Sequence, residues 1–218
     1  MQLDSPFRSM INSASICPPN TNLKLILRHS VKNDQTSEKE VHLTPNGKMI
    51  AYNLGNSIDL PIGFIACSPV LRCCQTCEEI IKGFNNNSNS YQFQPVLTKI
   101  LQISHVIDSE KSGKLFKKFS IQDIFRHYAE CRELDGLHNL SDSVLPILHY
   151  VFEKGSVEDT IDIFCTHDTQ ISLILLFIGY DQNEILECWP RMPEGIFLWE
   201  EAGHYYASWR GSVKEFKI

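Results

Sequence analysis

The stretch LILRHSVKND, Leu25–Asp34, holds the key to this chain's architecture. Leu25, Ile26 and Leu27 form an apolar run that, as a strand, needs cover on both faces, the habit of a sheet interior. The run ends in Arg28 and His29, two side chains costly to bury, and then in a short polar turn. A greasy strand with a guanidinium and an imidazole at its carboxyl end presents them to a cleft. In open α/β sheets, that edge is where ligands bind.

The rest of the chain repeats this device. Residues 1–22 are polar, carry Pro18-Pro19, and are expected to be a flexible leader. Leu23–Leu27 is the first strand. In HLTPNGKMIAYNLGNSI (42–58), Thr44 is placed as an N-cap and Pro45 at the first helical position, with Ile50, Leu54 and Ile58 along one face. GFIACSPVLRCCQTCEEIIKGF (63–84) reads as a second strand, Phe64–Cys67, turning into a helix from about Val70 to Gly83. NNNSNS, Asn85–Ser90, reads as a flexible loop, and Val96–Ile103 as a further strand. Ser109–Lys154 is helical in pattern, with Ser120 and Asp123 as a capping pair and Ser141 opening a later helix. TIDIFCTHD (160–168) is a third strand, and TQISLILLFIGY (169–180) is the helix leaving it. Ile196–Trp199 and Tyr205–Trp209 read as a terminal β-hairpin.

Strands alternating with helices predict an α/β fold. The expected form is a three-layer sandwich, with a mostly parallel central sheet, helices on both faces and a small helical cap. One domain is expected over 23–218, with the cap at about 84–155. Three strands then place polar groups at one sheet edge: Arg28-His29, Ser68 with Arg72 beyond it, and Thr166-His167-Asp168.

Composition narrows the partners. Twenty basic against 26 acidic residues give a net charge of −6, which argues against a nucleic-acid partner. No apolar run reaches membrane-span length; the greasiest, Ile171–Ile178, is far too short. No basic-then-apolar leader is visible, so the expected location is cytoplasmic and the eight cysteines are read as free thiols. Oligomeric state is left open.

Two arginines, two histidines and a carboxylate are a toolkit for a phosphate monoester. Guanidinium forks bind phosphoryl oxygens bidentately and stay charged. A neutral imidazole can attack phosphorus, and a second can donate to an equatorial oxygen. A carboxylic acid can protonate the leaving oxygen and, as carboxylate, deprotonate the incoming water. This chemistry calls for no cofactor and no metal. The expected partner is a phosphorylated small molecule or a phosphoprotein substrate.

On these same residues the chain resembles the histidine phosphatase superfamily, with its phosphoglycerate mutase-like fold. Arg28, His29 and Ser30 match its Arg-His-Gly, Leu43–Gly47 its LTxxG, Ser68–Glu78 its SPxxRxxQTAE, and His167 its late histidine. The His-Asp-Thr at His167–Thr169 is similar to the acid phosphatase and phytase branch. The resemblance implies Arg28 and Arg72 as phosphate ligands, His29 as nucleophile, His167 as charge stabiliser and Asp168 as proton donor. Ser30 stands where the family has glycine. Lys32 stands where that branch has a further phosphate-binding arginine, keeping the charge without the fork.

Several residues have blander roles open to them. Cys74-Gln75-Thr76-Cys77 has redox or zinc spacing, yet Cys73 and Cys77 fall where the family has small alanines and read as packing residues. Asp168 doubles as a candidate N-cap. Glu130, Glu133 and Asp135 read as a solvated face, and the remaining histidines have no motif context. The rival to an enzyme is a weak or inactive family member that binds phosphorylated ligands or a protein partner; a mutase-type transferase is disfavoured by the His-Asp-Thr sequence.

Overall fold

The structure, a computed structural model, describes residues 10, 13–33, 41–87, 94–154 and 157–218. Strand β1 (Asn22–Arg28) sends Leu23, Leu25 and Leu27 to one face and Ile26 to the other, all four buried. It lies parallel to β4 (Thr160–Thr166) on one side and antiparallel to β5 (Gly195–Glu201) on the other. β2 (Ile62–Cys67) pairs parallel with β4, and the two-residue β3 (Val96–Leu97) pairs parallel with β2. Two antiparallel strands, β6 (His204–Trp209) and β7 (Ser212–Phe216), extend the sheet beyond β5. The seven strands run in the order β3-β2-β4-β1-β5-β6-β7. β1 to β4 and β6 share one direction, so the sheet is mostly parallel.

Both faces are covered. On one, helices α1 (Pro45–Asn56) and α2 (Leu71–Asn87) pack Ala51, Leu54, Cys73, Cys77 and Ile80 against Leu25, Ile65 and Ile163. A Cβ at Gly55 would overlap the Ile80 carbonyl oxygen, and one at Gly83 the Tyr52 carbonyl oxygen. These glycines let the two helices meet backbone to backbone. On the other face, α5 (Ile121–Ala129), α6 (Leu140–Glu153) and α7 (Asp168–Ile178) bury Ile124, Ile147, Leu148 and Ile171 against Ile26 and Phe164. Short helices α3 (Ile100–Ile103), α4 (Ser109–Lys118) and α8 (Gln182–Glu187) complete the described elements. No described helix is long and apolar enough to cross a membrane.

The local signals behave as physics requires. Thr44 caps α1 by accepting from Gly47 N, with Pro45 first in the helix. Ser120 and Asp123 form a reciprocal capping box. The later helix is capped by Asn139, two residues before Ser141. Val96–Ile103 is not one strand: Thr98 Oγ1 accepts from Ile100 N, and the chain turns there into α3. The loop expected from Asn85 begins later, since α2 runs through Asn87; residues 88–90 lie outside those described. The hairpin gains the unanticipated β7 through an Arg210-Gly211 turn with both φ positive.

In the leader, Met10 is buried in the α1/α2 core layer, and Ser13 Oγ accepts from Gly211 N. Within 84–155, β3 joins the sheet, α6 packs in its core, and α3 and α5 bury Leu101 and Ile124 in the same core layer. None of the eight cysteines is in a disulfide.

Candidate active site

Strand register sets the site. Arg28 lies opposite Thr166, and Cys67 opposite Cys165. One residue further, His29 N donates to Thr166 O and Ser68 N to Cys165 O, each at 3.0 Å. The three carboxyl ends are therefore level, and the loops leaving them share one edge of the sheet.

The loop leaving β1 is fixed in depth. Ser30 is fully buried; its backbone N–H donates to Thr76 Oγ1 at 3.0 Å and its hydroxyl to the Gly47 carbonyl at 2.7 Å. Thr76 Oγ1 in turn donates to Arg72 O on α2. At Gly47 a Cβ would overlap the Val31 carbonyl oxygen, so only glycine admits this approach. Leu43 N donates to Gln75 Oε1 at 2.8 Å, joining the entry of α1 to the same turn of α2.

On that frame Arg28, His29, Arg72, His167 and Asp168 form one connected cluster. His29 is 3% exposed, and its Nδ1 lies 2.8 Å from Ser30 O. A carbonyl only accepts, so Nδ1 carries the hydrogen and Nε2 keeps a lone pair. Burial, then the neighbouring His167, Arg72 and Arg28, push the His29 pKa down to about 2. The imidazole is neutral across ordinary pH. The rings of His29 and His167 meet edge to face, centroids 5.6 Å apart. Arg72 Nη2 donates to His167 Nδ1 at 3.3 Å, so the hydrogen of His167 sits on Nε2, 3.0 Å from Ser68 Oγ.

Asp168 begins α7 as its first helical residue, after His167 at the N-cap. Its Oδ2 takes Arg28 Nη2 at 2.8 Å, and its Oδ1 accepts from Thr169 N. Burial lowers the Arg28 pKa and Asp168 opposes that; a guanidinium remains charged in any case. Lys32 lies on the loop beyond, its backbone bridged to Leu43. Cys73 and Cys77 are fully buried within the α1/α2 layer. Among the described residues, no group of three or more His, Cys, Asp or Glu is placed to hold a metal ion.

The segment entering β5 forms a wall that no motif announced. Trp189 Nε1 donates to Asp168 Oδ2 at 3.1 Å, and Arg28 Nη1 donates to Pro190 O at 2.6 Å. Glu194 O accepts from Arg28 N, while its buried carboxylate takes Arg210 in a two-pronged contact of 2.6 and 2.8 Å. His105 is equally silent in the sequence: buried beside α7, its Nδ1 accepts from Gln170 Nε2 at 3.0 Å. For the wall, two prolines and a tryptophan before an antiparallel strand were the available signal.

The assembled edge places two guanidiniums and two imidazoles around one carboxylate, a setting for a tetrahedral oxyanion. No protein-family model matches the chain, and no curated protein does. Solved structures match by fold. A phosphoserine phosphatase from Entamoeba histolytica, solved with phosphoserine, is 14% identical over 88% of this chain and 96% of its own, with a TM-score of 0.56. Rv3214 from Mycobacterium tuberculosis is also 14% identical, over 90% and 96%, with a TM-score of 0.54. The mycobacterial glucosyl-3-phosphoglycerate phosphatase Rv2419c, solved with VO3, is 12% identical over 88% and 100%, with a TM-score of 0.54. The chain thus has the phosphoglycerate mutase-like fold of the histidine phosphatases.

Proposed function

We propose that the chain is a phosphomonoesterase working through a phosphohistidine at His29 without a metal. The observation that carries this reading is the fixed tautomer of His29: Ser30 O holds the hydrogen on Nδ1, and burial keeps the ring neutral. Nε2 is then a nucleophile at every working pH. Nε2 attacks phosphorus, the bond to the leaving oxygen breaks, and that oxygen takes a proton from Asp168. Water then attacks the phosphohistidine, gives its proton to Asp168, and the P–N bond breaks. Arg28 and Arg72 bind the phosphoryl oxygens, with Lys32 as a further cation. Once Arg72 has turned from His167 Nδ1 to the phosphoryl group, the hydrogen of His167 moves to Nδ1, the Ser68 hydroxyl donates to Nε2, and Nδ1–H donates to an equatorial oxygen.

Asp168 directly after His167 supports the acid phosphatase-like arrangement of acid and imidazole. The named phosphatases of this fold support a phosphorylated small molecule as substrate. A second reading rests on Lys32 and on the hold of Asp168 and Pro190 O over Arg28: a site that binds phosphate without turnover.

Release of p-nitrophenol from p-nitrophenyl phosphate between pH 4 and 8, with EDTA present, separates them. Turnover is expected to survive EDTA, to vanish in His29→Ala and to fall roughly 10²–10⁴-fold in Asp168→Asn. Hydrolysis no faster than in His29→Ala supports the binding-only reading.

A further inference from the structure

The proposed mechanism gives Arg28 two partners that compete for one guanidinium. In the structure its Nη2 lies on Asp168 Oδ2 at 2.8 Å, yet the same guanidinium has to meet the phosphoryl oxygens. When phosphate draws Arg28 away, Asp168 loses one of its two contacts at Oδ2. What remains there is the indole N–H of Trp189, at 3.1 Å. The indole is itself held: its ring meets Phe125 of α5 edge to face at 5.5 Å, and Phe125 is buried. The segment behind it is anchored by the Glu194–Arg210 fork and by Arg28 N on Glu194 O.

We infer that Trp189 is a positioning residue for the reaction, holding the Asp168 carboxyl toward the leaving oxygen once substrate has taken Arg28. This inference rests on the reading of Asp168 as the acid. The N–H acts through the carboxyl, so its contribution is felt in the chemical step rather than in substrate capture. Phe125 carries the same contact into α5, so the acid is tied to the core layer on that face of the sheet.

The test has two readouts on the full chain. In steady-state hydrolysis of an alkyl phosphomonoester such as glycerol 2-phosphate, whose leaving oxygen needs the acid, Trp189→Phe is expected to lower kcat about 10-fold, the loss of one hydrogen bond, with KM within about twofold. In isotope-labelled protein the Trp189 indole N–H resonance, assigned by triple-resonance spectroscopy, is expected to shift in Asp168→Asn. Trp199 and Trp209 supply internal controls, because their buried indole N–H groups meet no hydrogen-bond partner among the described residues. A Trp189→Phe enzyme with kcat within twofold of the parent overturns the inference while leaving the phosphatase reading intact. So does an indole resonance indifferent to Asp168→Asn, which also serves if Trp189→Phe does not fold. A parent chain no faster than His29→Ala removes the phosphatase reading, and the role of Trp189 with it.

Discussion

Ser30 occupies a position where the resemblance expects glycine, and its hydroxyl has been absorbed into the frame. It donates to the Gly47 carbonyl, while its N–H donates to Thr76. Ser30→Gly therefore installs the residue that the resemblance expects but deletes a buried hydrogen bond and adds backbone freedom. The expected result is a loss of about 1–2 kcal/mol in urea unfolding, with no gain in turnover. The buried imidazoles give a second expectation. Burial holds His29 at about 2 and His105 at about 4, the latter helped by His167 and His138. Both lie below the roughly 6.5 of an unfolded histidine. Above that pH neither state binds the protons, and stability is complete; as pH falls toward 4 the unfolded chain takes up protons that the folded one refuses. Stability is then lost at up to about 1.4 kcal/mol per pH unit for each ring. His105→Gln is expected to make the fall in urea midpoint between pH 6 and 4 shallower by about one proton. Arg28, His29, Arg72, His167 and Asp168 were legible because each ends a strand or opens a helix. Trp189 and His105 were not, because their partners are 21 and 65 residues away in sequence.

Among the elements, apolar spacing identifies β1, β2, β4, α1, α2 and α7, and in α1 the Thr44 cap agrees with it. It fails where a local group competes with the pattern. Thr98 turns the chain in the middle of an apolar run, and β7, with most of its residues exposed, has no apolar alternation to betray it. What no pattern shows is how closely two helices approach. α1 and α2 touch through Gly55 and Gly83, and carbonyl oxygens occupy the space a methyl would need. Gly83→Ala is expected to cost at least ~2 kcal/mol, because backbone cannot give way as a side chain can. Chemical denaturation checks this, with Gly113→Ala, whose Cβ meets nothing within 4 Å, as the comparison.

The whole molecule explains why so short a list of residues makes a site. Parallel register brings three strand ends level, and the antiparallel β5 starts at that same edge, since Gly195 lies opposite Leu27. The chain entering β5 must therefore pass over the cluster, which is how Trp189 and Pro190 reach it. Beneath the site, on the α5–α7 face of the sheet, Lys24 and Asp162 pair at 2.6 Å, both almost fully buried. An acidic chain thus concentrates cations at one edge and neutralises a charge inside. Whether His29 becomes phosphorylated is open to direct observation, by rapid acid-free quenching of the chain with ³²P-labelled p-nitrophenyl phosphate, whose phenol leaves without a proton, followed by peptide mapping. An alkali-stable, acid-labile label on His29 that forms within the first turnover, is absent in His29→Ala and accumulates in Asp168→Asn is the expected result. Turnover with no label on His29, or a label elsewhere that His29→Ala retains, would contradict it.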